Sequence, residues 1–238
     1  MSDRPDSVTL RVNRSALFLV AGLVVGGGIG FMAGAWTTSS WSRQLRSAAI
    51  AAEPEAASAS EAPVSELVEI DLEGRPVLGP TDAPVTIVEY TDYGCPWCAK
   101  YAEETYPKLI AEHGDKIRYS VRNFPVPMLH PQAPKAAEAA ECAADQDQFW
   151  AYHDLLFQNR TALEVPSLKQ YAAQLNLDGE RFDACLDSGE KTELVNADFQ
   201  EGLANGVRGT PTFFLNGRSL VGAQPLEVFE ALVNKESR

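Results

Sequence analysis

Residues 83–98 read Ala-Pro-Val-Thr-Ile-Val-Glu-Tyr-Thr-Asp-Tyr-Gly-Cys-Pro-Trp-Cys, and this stretch sets the expected fold. Ala83 to Thr91 is a short apolar run rich in β-branched residues, the composition of a central strand covered on both faces. It leads into Cys95-Pro96-Trp97-Cys98, after which Ala102, Tyr106, Leu109 and Ile110 share one face at helical spacing. Pro107 should kink that helix and Gly114 should stop it. Ile117, Tyr119 and Val121 then alternate with Arg118, Ser120 and Arg122, which predicts a strand with one face covered.

Further along, the pattern from Pro131 to Asn205 is helical throughout. Its segments are an Ala-rich stretch to Ala144, Phe149 to Phe157, Ser167 to Leu175, Asp178 to Leu186 ending near Gly189, and Glu190 to Asn205. This is the signature of an all-helical insertion over about 131–205. Thr212 to Leu215 and Ser219 to Val221 follow, joined by Asn216-Gly217, a strong signal for a two-residue hairpin turn. A closing helix presents Leu226, Phe229, Leu232 and Val233 on one face. The expected fold class is α/β, a mixed central sheet with flanking helices.

A C-x-x-C that follows a buried strand and opens a helix has a physical logic. The first cysteine meets unpaired backbone N–H groups and the positive end of the helix dipole, both of which stabilise a thiolate. Cys95 is therefore the candidate nucleophile, and Cys98, one turn along, is placed to attack a mixed disulfide formed at Cys95. Pro96 costs no hydrogen bond so early in the helix. Two other uses of the motif are half of a zinc site and an inert structural disulfide. Zinc needs a second ligand pair at matching spacing, and His113, His130 and His153 stand singly, so neither a metal nor any cofactor beyond the Cys95–Cys98 disulfide is expected.

The ordered set of strand, Gly-Cys-Pro-Trp-Cys and helix, then a helical insertion, then Gly206-Val207-Arg208-Gly209-Thr210-Pro211-Thr212 before a hairpin resembles the DsbA-like branch of the thioredoxin superfamily, over roughly Pro80 to Val233. The resemblance implies a thioredoxin fold and thiol–disulfide exchange. It also implies a proline held cis beside the active site, matched by Pro211, with the Thr210 backbone pairing with an extended substrate; the plain alternative is a trans proline starting a strand. It places a buried acid at Glu89, six residues before Cys95; a carboxylate inside this apolar strand reads as a proton acceptor for Cys98, directly or through water, and the alternative is a strand-end glutamate reaching solvent. Trp97 departs from the histidine of the best-known members, and a neutral indole cannot supply that residue's charge-dependent stabilisation of the thiolate.

Cys142 and Cys185 lie far apart in the insertion, and in an exported protein two such cysteines are expected to pair; two buried free thiols are the alternative. Closing a loop of this length stabilises by up to about 4 kcal/mol on the chain-entropy estimate. His130, between Leu129 and Pro131, is placed either to line the active-site groove or simply to face solvent.

With 238 residues, 45% of them hydrophobic, the chain has enough apolar material for one ordinary domain plus appendages. Its net charge of −13 argues against nucleic acid as a partner, because phosphate binding is driven by clustered Lys and Arg. No charged side chain occurs from Ser15 to Ser42, and the apolar run there is long enough to span a bilayer. The sequence thus predicts a cytoplasmic tail (1–14), a transmembrane signal-anchor helix (15–36), a flexible linker (37–65) and a folded domain (66–238) facing the periplasm or cell exterior. Ala33-Gly34-Ala35 leaves open the alternative of a signal peptide cleaved after Ala35. Gly22, Gly26, Gly30 and Gly34 recur on one helix face, which either lets a second copy approach closely as a dimer or reflects only the abundance of glycine in membrane helices.

The function these expectations converge on is disulfide introduction into unfolded or partly oxidised exported proteins, with a membrane redox partner recycling the site. A reductase or isomerase, or a holdase with incidental cysteines, are the alternatives.

Overall fold

The computed structural model describes residues 67–237. The expected tail, anchor helix, glycine face and linker lie outside the described residues. Among the described residues, no helix is long and apolar enough to cross a membrane.

The chain runs through strands β1 (Val77–Leu78), β2 (Val85–Thr91) and β3 (Ile117–Asn123), with helices α1 (Pro96–Glu104) and α2 (Tyr106–His113) between β2 and β3. Helices α3 (Ala133–Ala144), α4 (Phe149–Gln158), α5 (Val165–Gln174), α6 (Gly179–Ser188) and α7 (Thr192–Ala204) follow, then the hairpin β4 (Thr212–Leu215) and β5 (Arg218–Val221), then α8 (Leu226–Glu236). The five strands form one sheet in the order β1-β3-β2-β4-β5. β2 is parallel to β3 and antiparallel to β4, so Glu89 is flanked by Val121 on one side and Phe213 on the other.

The run at Val85 to Thr91 occupies the centre of the sheet because both of its faces are apolar. Val85 and Ile87 join the larger core with Tyr101, Leu109, Phe213 and Phe229, while Val88 and Tyr90 join a smaller one with Phe124, Val207 and Phe214. Alternation along a strand puts Glu89 and Thr91 on the side of Val85 and Ile87, the side that also holds Cys98.

Three features differ from expectation, each for a local reason. Pro107 does not kink one helix but helps to separate two, α1 ending at Glu104 and α2 beginning at Tyr106. A proline inside a continuous helix would leave the Glu103 carbonyl unpaired and crowd it, whereas at the start of α2 its missing N–H costs nothing.

The second difference is at β3, which is covered on both faces: Ser120 and Arg122 are as buried as Tyr119. The polar face lies under the segment leading to β1 and under α7. Ser120 Oγ donates to the Pro76 carbonyl at 3.0 Å, and Arg122 donates to the Asp71 carbonyl and, through Nε, to Glu201 Oε2 at 3.2 Å. Alternation of polarity thus marked a buried ionic layer, in which Arg75 pairs with Asp198 and the Asn123 side chain donates to Glu141 at 2.6 Å, rather than a solvated surface. The third difference is β1 itself, an antiparallel edge on β3 that is too short to show any periodicity.

Candidate active site

Cys95 occupies the N-cap of α1 in an extended conformation, with Pro96 at the first helical position. The N–H groups of the two residues after Pro96 are free at the start of α1 beside Cys95, whose side chain makes no capping hydrogen bond to them in the dithiol. No acidic residue lies in the first turn of α1 to oppose a negative charge there. Cys95 is pulled down to about 5 by a hydrogen bond from Cys98, against the opposing effect of burial, with further help from the Cys98 backbone, the Thr210 side chain and the Trp97 backbone. Cys98 is pushed well up by burial and by its bond to Cys95 and the negative charges near it. The structure is that of the free dithiol, and the two sulfurs are electrically unlike: a thiolate at the cap and a buried thiol one turn along.

The preceding turn is held by Asp92, whose side chain is fully buried. Its Oδ1 accepts from the Gly94 N–H at 2.7 Å; its Oδ2 accepts from the Val126 N–H at 2.8 Å and pairs with His130 Nδ1 at 2.9 Å. The Cys95 N–H donates to the Asp92 carbonyl at 3.0 Å, and Arg160 Nη1 donates to the Gly94 carbonyl at 3.3 Å. A Cβ at Gly94 would lie 2.5 Å from His130 Cβ, so the glycine is what lets the two segments touch. His130 therefore lines the active-site region, with Gly94, Arg160 and Leu163, rather than projecting freely into solvent.

Across from α1, the Thr210–Pro211 peptide bond is cis, and the Cys95 sulfur lies 3.5 Å from the Thr210 carbonyl oxygen, to which it donates when protonated. Gly209 to Thr212 is tied to itself by Thr212 Oγ1 donating to the Gly209 carbonyl at 2.7 Å, which leaves the loop facing the sulfur. Trp97 is 60% exposed beside the motif, while Met128 and Leu129, next to His130, are 91% and 72% exposed.

Glu89 is buried, not a strand-end residue reaching solvent. Tyr119 donates to its Oε2 at 2.5 Å, and the same phenol lies 3.2 Å from Tyr101 Oη. Burial pushes Glu89 up to about 7, the Tyr119 and Thr91 hydrogen bonds opposing and the Cys95 charge assisting. Its Oε1 and the Thr91 hydroxyl are both buried without a hydrogen-bond partner. Cys142 on α3 and Cys185 on α6 are joined by a disulfide.

The fold thus gathers Cys95, Pro96, Trp97, Cys98, Glu89, Thr210 and Pro211 into one region and leaves Cys142 and Cys185 outside it. Sequence reasoning passed over Asp92, Thr91 and Arg160. Asp92 carried a usable signal, since an aspartate two residues before a glycine is placed to turn its own backbone; Arg160 comes from a helical segment far along the chain and carried none.

A helix-capping C-x-x-C facing a cis-proline loop, with a buried carboxyl behind it, defines a dithiol protein of thioredoxin type. A family model described as thioredoxin matches residues 71–235, and the chain belongs to that family, in its DsbA-like branch. BdbD of Bacillus subtilis, in its oxidised form, is similar with a TM-score of 0.65 at 26% identity, over 73% of this chain and 98% of that one. α-DsbA1 of Wolbachia pipientis shares the fold with a TM-score of 0.63 at 21% identity, over 71% of this chain and 93% of that one. The Na(+)/H(+) antiporter NhaA of Herminiimonas arsenicoxydans is 42% identical over 169 residues, 71% of this chain but only 27% of that protein. The chain spans about a quarter of the length of the curated relatives it matches, and antiport belongs to the name of those proteins.

Proposed function

We propose that this chain is a thiol–disulfide oxidoreductase that donates disulfides to unfolded or partly oxidised exported proteins through Cys95 and Cys98. The observation that carries the reading is the asymmetry of the pair: Cys95 at about 5 is a thiolate at neutral pH, and Cys98 beside it is held as a thiol. A stabilised Cys95 thiolate is both a good leaving group and a reason for the reduced form to be favoured, which makes the disulfide form oxidising. A client thiolate attacks Cys95 of the disulfide form and Cys98 leaves. The client's second thiolate then displaces Cys95, so two electrons pass from client to protein.

In this reading Thr210 offers its backbone to an extended client segment beside Pro211, and Trp97 supplies apolar surface to it. Glu89 exchanges the Cys98 proton. The Cys142–Cys185 bond supports the helical insertion. A membrane redox partner reoxidises the pair. The segment 15–36 tethers the domain to the inner membrane on its outer side, or is removed after Ala35.

The test is the reduction potential of the Cys95–Cys98 couple, measured by equilibrating the purified chain with defined glutathione ratios and trapping the thiols. A nucleophile at about 5 lies between roughly 7 and 3.5, the values that accompany potentials of about −270 and −120 mV, so about −180 mV is expected. A value at or below about −270 mV would describe a protein kept reduced and would overturn disulfide donation.

A further inference from the structure

The exchange proposed above needs a proton to leave Cys98 when it attacks and to return when it departs, yet Cys98 is fully buried and cannot trade protons with solvent directly. Glu89 is the acid in this part of the core, and one of its two carboxylate oxygens, Oε2, is already taken by Tyr119. Its other oxygen, Oε1, is buried and unpartnered. Two residues along β2, on the same face, the Thr91 hydroxyl is also buried and unpartnered. A buried hydroxyl without a partner is costly and calls for an explanation. Two orphan oxygens on one face of β2, the face whose core holds the resolving thiol, supply one.

We propose that Thr91 is the proton link between Cys98 and Glu89, its hydroxyl taking the proton from the Cys98 thiol as it passes its own to the free carboxylate oxygen of Glu89. The inference rests on the exchange reading given above. Thr91 shares its strand face with Glu89, and that face packs into the core that holds Cys98; its side chain lowers both groups, while its hydroxyl forms no hydrogen bond with either in the dithiol. An uncommitted hydroxyl can point first at one group and then at the other. The remaining groups that face Glu89 are phenols and thiols: Tyr119 on β3, Tyr101 on α1, Tyr106 on α2, Tyr93 before the motif, and Cys95. Phenols held this high stay protonated through the working range, so they polarise the carboxyl without competing for the proton.

Each step balances. In resolution of a mixed disulfide, the Cys98 proton passes through Thr91 to Glu89, the Cys98 sulfur attacks the Cys95 sulfur, and the Cys95–Cys98 bond forms. The Cys95–client bond breaks, and the client sulfur leaves as a thiolate with the electron pair. In disulfide donation the order reverses: a client thiolate attacks Cys95, Cys98 departs with the electron pair, and the proton held on Glu89 returns to it through Thr91.

The experiment uses the full chain with its active-site pair reduced and an aryl disulfide reagent whose released thiolate is coloured. The first release reports attack by Cys95 and the second reports resolution by Cys98, so the two cysteines are read separately in one stopped-flow trace. Thr91→Val removes only the hydroxyl, and Thr91→Ser restores one. Thr91→Val should leave the first phase unchanged, slow the second about tenfold or more and move its pH profile upward, with Thr91→Ser recovering both. Should the valine variant not fold, Thr91→Ala answers the same question. A second phase of normal rate and pH profile in a folded variant lacking the hydroxyl would overturn the proton link. A wild-type chain that releases nothing in either phase would instead overturn the exchange reading itself.

Discussion

Replacing Glu89 by glutamine turns the cost of a buried carboxylate into a measurable change in the pH dependence of stability. Burial raises Glu89 from 4.5 to about 7, so between those values the unfolded chain gives up the proton while the folded chain keeps it. The sign follows: the contribution of Glu89 is undiminished below pH 4.5, declines as pH rises through the interval, and levels off above about 7. At about 1.36 kcal/mol per pH unit the full decline is about 3.4 kcal/mol. Glutamine has nearly the same shape, can still accept from Tyr119, and does not ionise. The stability of Glu89→Gln relative to wild type should therefore climb by about 3 kcal/mol from pH 4 to pH 8, whatever constant offset the amide introduces. Urea unfolding of the purified chain across that range, with Cys95 and Cys98 reduced and Cys142–Cys185 intact, gives the difference directly. A gap between the two proteins that does not change with pH would refute the argument that burial, rather than solvation through a path from the surface, governs this carboxyl.

Other consequences are open to similar measurement. The thiolate absorbance of Cys95 should titrate with a midpoint of about 5, and Cys98→Ala should raise it, because the Cys98 hydrogen bond is the largest cause of the depression; an unmoved midpoint would assign the effect to the helix terminus alone. His153, buried among Phe149, Trp150 and Phe157, is held at about 3 by burial, so stability present above 6.5 is lost as pH falls from there toward 3. His153→Leu should flatten that acid limb although it removes the partner of the Tyr93 hydroxyl. Gly94→Ala should slow exchange at Cys95 by displacing His130, since the new methyl would meet that side chain at 2.5 Å; a normal rate would show that the Asp92–His130 contact is dispensable. Cys142→Ala with Cys185→Ala should lower stability by up to about 4 kcal/mol while leaving the Cys95 midpoint in place.

The parts of the molecule legible in the sequence are those whose cause is local. The β-branched run before Cys95, the Asn216-Gly217 turn with both residues at positive φ, and Pro96 at the first helical position each depend on a few adjacent residues. The parts that were not legible depend on what the chain brings from far away. Arg118, Ser120 and Arg122 read as a solvated face because nothing local indicated that residues 67–76 and α7 would cover them and supply Asp198 and Glu201 as partners. His130 and Arg160 acquire their places from a loop and from the turn after α4, which fold back over Gly94. Even the effect of Pro107, a strong local signal, is not decided locally, because whether a proline bends a helix or begins a new one depends on what the next segment packs against.

The proposed direction of electron flow rests on how one strand serves the two cysteines differently. β2 delivers Cys95 to the rim of the sheet, where the start of α1 and the Thr210 loop meet it, and carries Glu89 and Thr91 beneath Cys98. Charge on Cys95 is met by oriented N–H groups and by the Cys98 thiol, so forming it needs little rearrangement. Charge on Cys98 is met by burial and by a nearby carboxyl, so it must be neutralised by a proton as it forms. Reducing the pair therefore leaves one sulfur as a stable anion and the other as a thiol, and the reduced state gains from both. On the proposed function, that bias is what lets the pair accept electrons from clients even though Trp97 offers no positive charge, because the Cys95 thiolate is stabilised chiefly by Cys98 and the helix backbone.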